Sequence, residues 1–200
     1  MKRTGRCRPL RAPSGFTLIE VMIAIVVMSV GLLAVIASFA TAISATQSAE
    51  EDLIARQKVL EAMESIYTAR NAQQIPFASV ANVSNGGIFV DGPQVMTCAG
   101  PDGLVGTGDD VACKTQAGVN CPDGGAECMV LPGPDGTLGT GDDVTMSLGN
   151  FTRTIAINPV LLANGNVNAN MMAITITVSY TKAGLPARSF TANGLISSYH

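Results

Sequence analysis

Gly15-Phe16-Thr17-Leu18-Ile19-Glu20 opens a stretch that runs from Val21 to Ala42 without another charge. Between Phe16 and Ala49 the only ionisable side chain is Glu20. An apolar run of this length exceeds the ~20 residues that a helix needs to cross a bilayer. Five basic residues precede it: Lys2, Arg3, Arg6, Arg8 and Arg11. An excess of Lys and Arg marks the cytoplasmic side, so the reading is a single span with its N-terminus inside. An ordinary secretory signal ends its apolar core at a small-residue cleavage site. Here the cut that fits lies before the core, between Gly15 and Phe16, and leaves the membrane helix on the mature chain. A carboxylate near the end of such a helix is costly and points to function. Its natural partner is a positive charge at the same depth on a neighbouring copy, the new α-amino group of Phe16. The alternative leaves Glu20 at the headgroup level, wetted by the interface.

The hexapeptide continues as Val21-Met22-Ile23-Ala24-Ile25-Val26-Val27-Met28-Ser29-Val30-Gly31-Leu32-Leu33-Ala34-Val35. The whole resembles the N-terminus of type IV pilins and pseudopilins over roughly residues 1 to 45. Leader, cleavage site and carboxylate all sit at that family's spacing. The resemblance implies cleavage after Gly15 by a prepilin peptidase and N-methylation of Phe16. It implies that Glu20 guides assembly by pairing with a neighbour's N-terminus. It also implies other pilin subunits and an inner-membrane assembly platform as partners. The protein would lie in the inner membrane before assembly and in a periplasmic or cell-surface filament after it. The segment Val30 to Ala34 is most similar to minor pilins and to the small pseudopilins of type II secretion. Many major pilins place a helix-breaking proline where this chain has Ala37, and the first proline after the leader is Pro76.

The chain has 200 residues, enough for one membrane helix and one modest domain. The leader holds 5 of the 12 basic residues and none of the 15 acidic ones, so the mature chain has 7 against 15, a net −8. That balance argues against a broad surface for nucleic-acid phosphates. Aromatic residues make up 4% and Trp is absent. The soluble part is rich in Gly, Asn, Ser, Thr and Ala, which predicts a thin, loop-rich core.

The boundaries read as leader 1–15, membrane and filament-core helix 16–43, amphipathic second half of the same helix 44–72, and an extracytoplasmic β-rich domain 73–200. From Thr41 to Arg70 there is neither Pro nor Gly, and good helix formers dominate. Phe16 to about Asn71 would form one rod of roughly 80–85 Å at 1.5 Å per residue. Leu53, Leu60, Met63 and Tyr67 recur at helical spacing, with Ile54 and Ile66 flanking them, and predict the stripe that packs on a sheet. Ile88-Phe89-Val90 and Val95-Met96-Thr97 flank Asp91-Gly92-Pro93-Gln94 as a hairpin signal. Phe151 to Ile157, Met171 to Tyr180 and Arg188 to Ser198 alternate as strands, with Lys182 to Pro186 turning between the last two. Asn164 to Asn170 lacks periodicity and reads as a loop. One long helix followed by antiparallel strands predicts an α+β fold, the helix packed on a small sheet. Pilin-like domains share this plan.

Residues 98–144 form an insertion rich in Cys, Asp and Gly. Residues 100–111 and 133–144 agree at ten of twelve positions at an offset of 33. Each copy carries three carboxylates: Asp102, Asp109 and Asp110, then Asp135, Asp142 and Asp143. Calcium takes six to eight oxygens, and glycine lets backbone carbonyls turn inward to supply some. The expectation is a Ca2+ site in these loops, although the spacing is not that of an EF-hand. The alternative is a pair of turns in which Asp side chains bond their own backbone. Cys7 falls in the leader. Cys98, Cys113, Cys121 and Cys128 lie on the outer side, where oxidation favours disulfides. Four cysteines allow three pairings. The sequential set, Cys98 with Cys113 and Cys121 with Cys128, is cheapest in loop entropy, and a nested set is the alternative. Zinc fits poorly, with no C-x-x-C pair and a single His, the terminal His200.

Three function classes follow. The first is a filament subunit, a minor pilin in assembly, adhesion, motility or DNA uptake. The second is a type II secretion pseudopilin that drives protein export. The third is a membrane-anchored calcium-dependent adhesin or an enzyme. No Ser/His/Asp set, nucleotide loop or Cys/His pair supports catalysis, so the enzyme reading is poor.

Overall fold

The computed structural model describes residues 15–116, 118–181 and 186–199. Residues 1–14 of the expected leader, four of the five residues of the expected turn at 182–186 and His200 lie outside them. The chain divides into two compact units between Ser48 and Ala49. Helix α1, Leu18–Asn71, contributes to both.

In the first unit α1 is exposed on all faces, with Ile, Val, Leu and Met pointing outward all round. It is long and apolar enough to cross a membrane. Its hydroxyls do not break this character. Ser29 donates to the Ile25 carbonyl at 2.7 Å and Ser38 to that of Ala34 at 2.9 Å. Thr46 does the same to Ala42 at 3.0 Å. Bonding back to the preceding turn leaves no donor to be satisfied by lipid.

The second unit is α+β. Strands β1 (Gln94–Val95), β4 (Phe151–Leu161), β5 (Val167–Tyr180) and β6 (Arg188–Ser197) form one antiparallel sheet in the order β1-β4-β5-β6. Strands β2 (Cys128–Leu131) and β3 (Val144–Ser147) form a separate hairpin. Alternation fixes the buried face: Phe151, Ile155 and Ile157 on β4, and Ile174, Ile176, Val178 and Tyr180 on β5. The helix covers that face with Ile54, Ala55, Val59, Ala62, Met63, Ile66 and Ala69.

The covering stripe keeps Ile54, Met63 and Ile66 of the prediction, with Tyr67 packed at its edge, but leaves out Leu53 and Leu60. Leu53 and Leu60 are 65% and 59% exposed. At 3.6 residues per turn they lie opposite the buried stripe. Alanines at 55, 62 and 69 weigh little on a hydropathy reading, yet their small side chains let the sheet come close. Gly194 on β6 does the same from the other side. A Cβ there would sit 2.5 Å from the Tyr67 hydroxyl. That hydroxyl donates to the Leu195 carbonyl at 2.9 Å. Asp52 ties the same surfaces together, accepting from Tyr180 and Arg188 at 2.7 Å each.

The predicted 88–97 hairpin is also replaced. Gln94 and Val95 pair with Arg153 and Thr152 of β4 instead. Phe89 is fully buried between single bridges to Asn82 and Thr107. Asp91 is drawn away from a turn role because its carboxylate accepts from Ser84, N–H and hydroxyl, at 2.9 and 2.7 Å. The expected 164–170 loop is shorter, since β5 starts at Val167 and a register shift at Pro159/Val160 lets the pairing continue.

Candidate functional site

Two places carry the residues singled out by sequence. The first is the start of α1. Gly15, Phe16 and Thr17 precede the helix in open chain, and Phe16 is 84% exposed. Thr17 is the cap: its Oγ1 accepts from the Glu20 N–H at 3.3 Å. Thr-x-x-Glu is the capping-box pattern, in which the residue three on is a Glu or Gln. Glu20 therefore has a second reason for its place, within the helix's first turn, where negative charge is favoured by the helix dipole. The sequence carries that signal as Thr17 and Glu20 three apart. Phe16 and Glu20 thus sit on either side of the helix start, next to the Gly15–Phe16 bond.

The second place is the duplicated loop. In the first copy Asp102 Oδ1 accepts from the Leu104 N–H at 2.8 Å, and Asp109 accepts from the Asp102 N–H and from the Thr107 hydroxyl at 3.3 and 2.7 Å. The second copy repeats these bonds. Asp135 accepts from the Thr137 N–H at 2.8 Å, and Asp142 from the Asp135 N–H and the Thr140 hydroxyl at 3.3 and 2.6 Å. Asp110 accepts from the Gly106 N–H at 2.8 Å and Asp143 from the Gly139 N–H at 2.7 Å. Each loop closes so tightly that a Cβ on Gly100 or Gly133 would fall 2.1 or 2.3 Å from the carbonyl oxygen of Asp109 or Asp142. The threonine hydroxyls hold the Asp109 and Asp142 carboxyls below their ordinary pKa, with backbone N–H groups adding to this. Among the described residues no group of three or more His, Cys, Asp or Glu is arranged to hold a metal ion.

The surroundings of the two copies differ. The first is packed into the domain, with Leu104 and Thr107 buried. Asp110 also accepts from the Thr97 hydroxyl at 3.0 Å and lies 3.8 Å from the guanidinium of Arg153, which is 3% exposed. Burial lowers the pKa of Arg153, while Asp110, Glu127 and Glu61 counter that shift. Nearby, Lys58 bonds Glu61 at 2.8 Å and Glu127 as well. Burial pulls the Lys58 ammonium down, and its bonds to the two glutamates more than offset this, so its pKa is raised. Disulfides Cys98–Cys113 and Cys121–Cys128, with Cα atoms 5.1 and 5.7 Å apart, brace the insertion in the sequential arrangement.

A family model described as the prokaryotic N-terminal methylation motif matches residues 10–36. The chain carries a type IV pilin-like N-terminal signal. That signal implies processing by a prepilin peptidase and assembly into filaments, and it points to a structural subunit rather than an enzyme. Together with the apolar first half of α1, it is consistent with membrane anchoring before assembly. No match was found among curated proteins or solved structures.

Sequence reasoning missed Asn82. Its side-chain N–H donates to the Ile155 carbonyl at 2.7 Å, and its Oδ1 accepts from the Ile157 N–H at 2.7 Å. One amide side chain thus substitutes for a strand residue along the β4 edge beyond the reach of the two-residue β1. Nothing in its local sequence signals a role set by a partner more than seventy residues away.

Proposed function

We propose that the chain is a minor pilin, a structural subunit of a type IV pilus that takes part in its assembly and in adhesion, motility or DNA uptake. The observation that carries the reading is the methylation motif seated on a helix that begins at Leu18, with an accessible Gly15–Phe16 junction and Glu20 in the first turn. Cleavage after Gly15 frees the amine of Phe16, and Glu20 accepts the charge of the same amine on an adjacent subunit. The exposed Leu53 and Leu60 give the second half of α1 an outward apolar face that neighbouring subunits can cover. The single-pass helix holds the subunit in the inner membrane, N-terminus inside, until the assembly platform extracts it.

The test has two arms. Mass spectrometry of the mature protein should show methylated Phe16 as the first residue, and Glu20→Gln should be processed yet fail to enter filaments. Normal incorporation of Glu20→Gln refutes the assembly role. Deletion of the gene, with piliation, twitching, transformation and protein secretion scored together, separates a minor pilin from a secretion pseudopilin. Loss of secretion alone assigns the chain to export.

A further inference from the structure

We propose that Thr17 is a positioning residue for leader removal: by capping α1 it keeps the Gly15–Phe16 bond in open chain, where a peptidase can reach it. The inference rests on the processing read from the methylation motif. Hydrogen bonds mark Thr17 as the cap. Its Oγ1 accepts from the Glu20 N–H at 3.3 Å, and its carbonyl accepts from the N–H groups of Glu20 and Val21 at 3.1 and 3.2 Å. A cap residue has this double role, since its carbonyl starts the helical ladder and its side chain takes an orphan donor. The first helical residue is Leu18, so Phe16 and Thr17 separate the helix from the bond to be cut. A Cβ built on Gly15 would meet nothing within 4 Å, so the chain is open there.

The boundary matters because a peptide bond inside a helix resists hydrolysis. There the Gly15 carbonyl would be held by an N–H four residues on, with side chains crowded around it. In open chain, water can add to that carbonyl, the C–N bond breaks, and the nitrogen leaves with a proton as the amine of Phe16. The sequence contains a competing boundary. Ser14 is also a capping type, and a helix capped there would begin at Gly15 and enclose the bond. Two features tip the choice to Thr17. Glu20, three residues on, completes a capping box, whereas Ser14 has Thr17 at that place. Glycine is a poor helix former, so Gly15 resists being drawn into a first turn.

The test uses the full chain in detergent and the prepilin peptidase of the same cells. Thr17→Val keeps the shape of the side chain and removes the acceptor. Thr17→Asn changes the shape and keeps a cap. The wild-type chain should be cut at Gly15–Phe16. Losing a cap shifts the boundary equilibrium by roughly fivefold. Thr17→Val should therefore raise KM about two- to fivefold with kcat unchanged, as for a substrate whose open form is less populated. Thr17→Asn should be cut like wild type. Carbon chemical shifts of Gly15 and Phe16 should move toward helical values in Thr17→Val alone. Melting of the unit from Ala49 onward should be the same in all three chains. A wild-type chain cut elsewhere, or not at all, overturns the processing reading together with this inference. Where wild type is cut at Gly15–Phe16, a wild-type KM for Thr17→Val overturns the inference alone. So do unmoved chemical shifts, or a Thr17→Asn chain cut as slowly as Thr17→Val, which would mean that the peptidase reads the threonine side chain itself.

Discussion

Asn82→Ala removes one side chain and strands two main-chain groups. Asn82 is 6% exposed, and its amide satisfies the Ile155 carbonyl and the Ile157 N–H at 2.7 Å each. Both of those residues are buried in the core. Water reaches neither group readily in the variant, so each loses its partner without replacement. An unsatisfied buried donor or acceptor costs about 1–3 kcal/mol. Two together predict a loss of about 2–6 kcal/mol. For a unit of this size 1 kcal/mol moves the melting temperature by roughly 2–4 °C, so the fall should be about 4–24 °C. The assay is urea and thermal unfolding of the fragment from Ala49 onward, which is compact by itself. Amide exchange at Ile157 adds a local readout, and its protection should drop in the variant. Asn82→Asp is the control, since it keeps an acceptor for Ile157 and loses the donor to Ile155. It too should destabilise while leaving Ile157 the better protected of the two variants. A loss below about 0.5 kcal/mol for Asn82→Ala, with Ile157 exchange unchanged, would refute the claim that this amide completes the sheet.

Removing the Cys98–Cys113 bridge by paired serine substitution should cost roughly 3 kcal/mol, the loop-entropy value for a separation of 15 residues. The Cys121–Cys128 bridge, which closes a separation of 7, should cost less, and urea midpoints compare them. Asp109 and Asp142 have folded pKa values below the ordinary 3.8. Their contribution to stability is present above 3.8 and is lost as pH falls through the depressed values. Asp109→Asn with Asp142→Asn should therefore flatten the acid limb of melting temperature against pH. The calcium reading of the twin loops is a proposal supported by their duplication and carboxylates. It requires Ca2+ to raise the melting temperature, and EDTA to reverse the rise. No shift would remove the metal reading and leave the loops to their Asp-to-backbone and Thr-to-Asp bonds and the disulfides beside them.

The helix, the α+β class and the three long strands were legible because each rests on a periodicity visible within one segment. β5 shows this plainly: Ile174, Ile176, Val178 and Tyr180 alternate in sequence and are all buried. The N-terminal methylation motif was legible for a similar reason, since its residues are contiguous. What could not be read depends on distant partners. Leu53 and Leu60 look like core until Ala55, Ala62 and Ala69 are seen beneath the sheet, where closeness matters more than hydrophobicity. Met96 and Phe89 look like hairpin residues, but β4 offers Gln94 and Val95 a longer partner. The acidic loops differ at only two of twelve positions, Leu104/Thr137 and Val105/Leu138. Their sequences do not show that Arg153 lies against the first copy.

In the proposed role the two halves of α1 divide the work of assembly, and Glu20 is decisive. The first half is apolar on every face, and its hydroxyls are satisfied within the helix. Lipid tails and packed neighbours are about equally apolar, so moving this half from bilayer to filament gains little hydrophobic free energy. Discrimination between the two environments must come from groups that they treat differently. Among the side chains of the span, only Glu20 carries a charge. In lipid it is costly, and beside a freed amine it is neutralised. Filament entry in the proposed role is thus governed by one ion pair at the start of the helix. The apolar faces set how closely subunits pack once that pair has formed. A variant with many conservative apolar changes in Val21 to Ala42 should still assemble, whereas the single change Glu20→Gln should not.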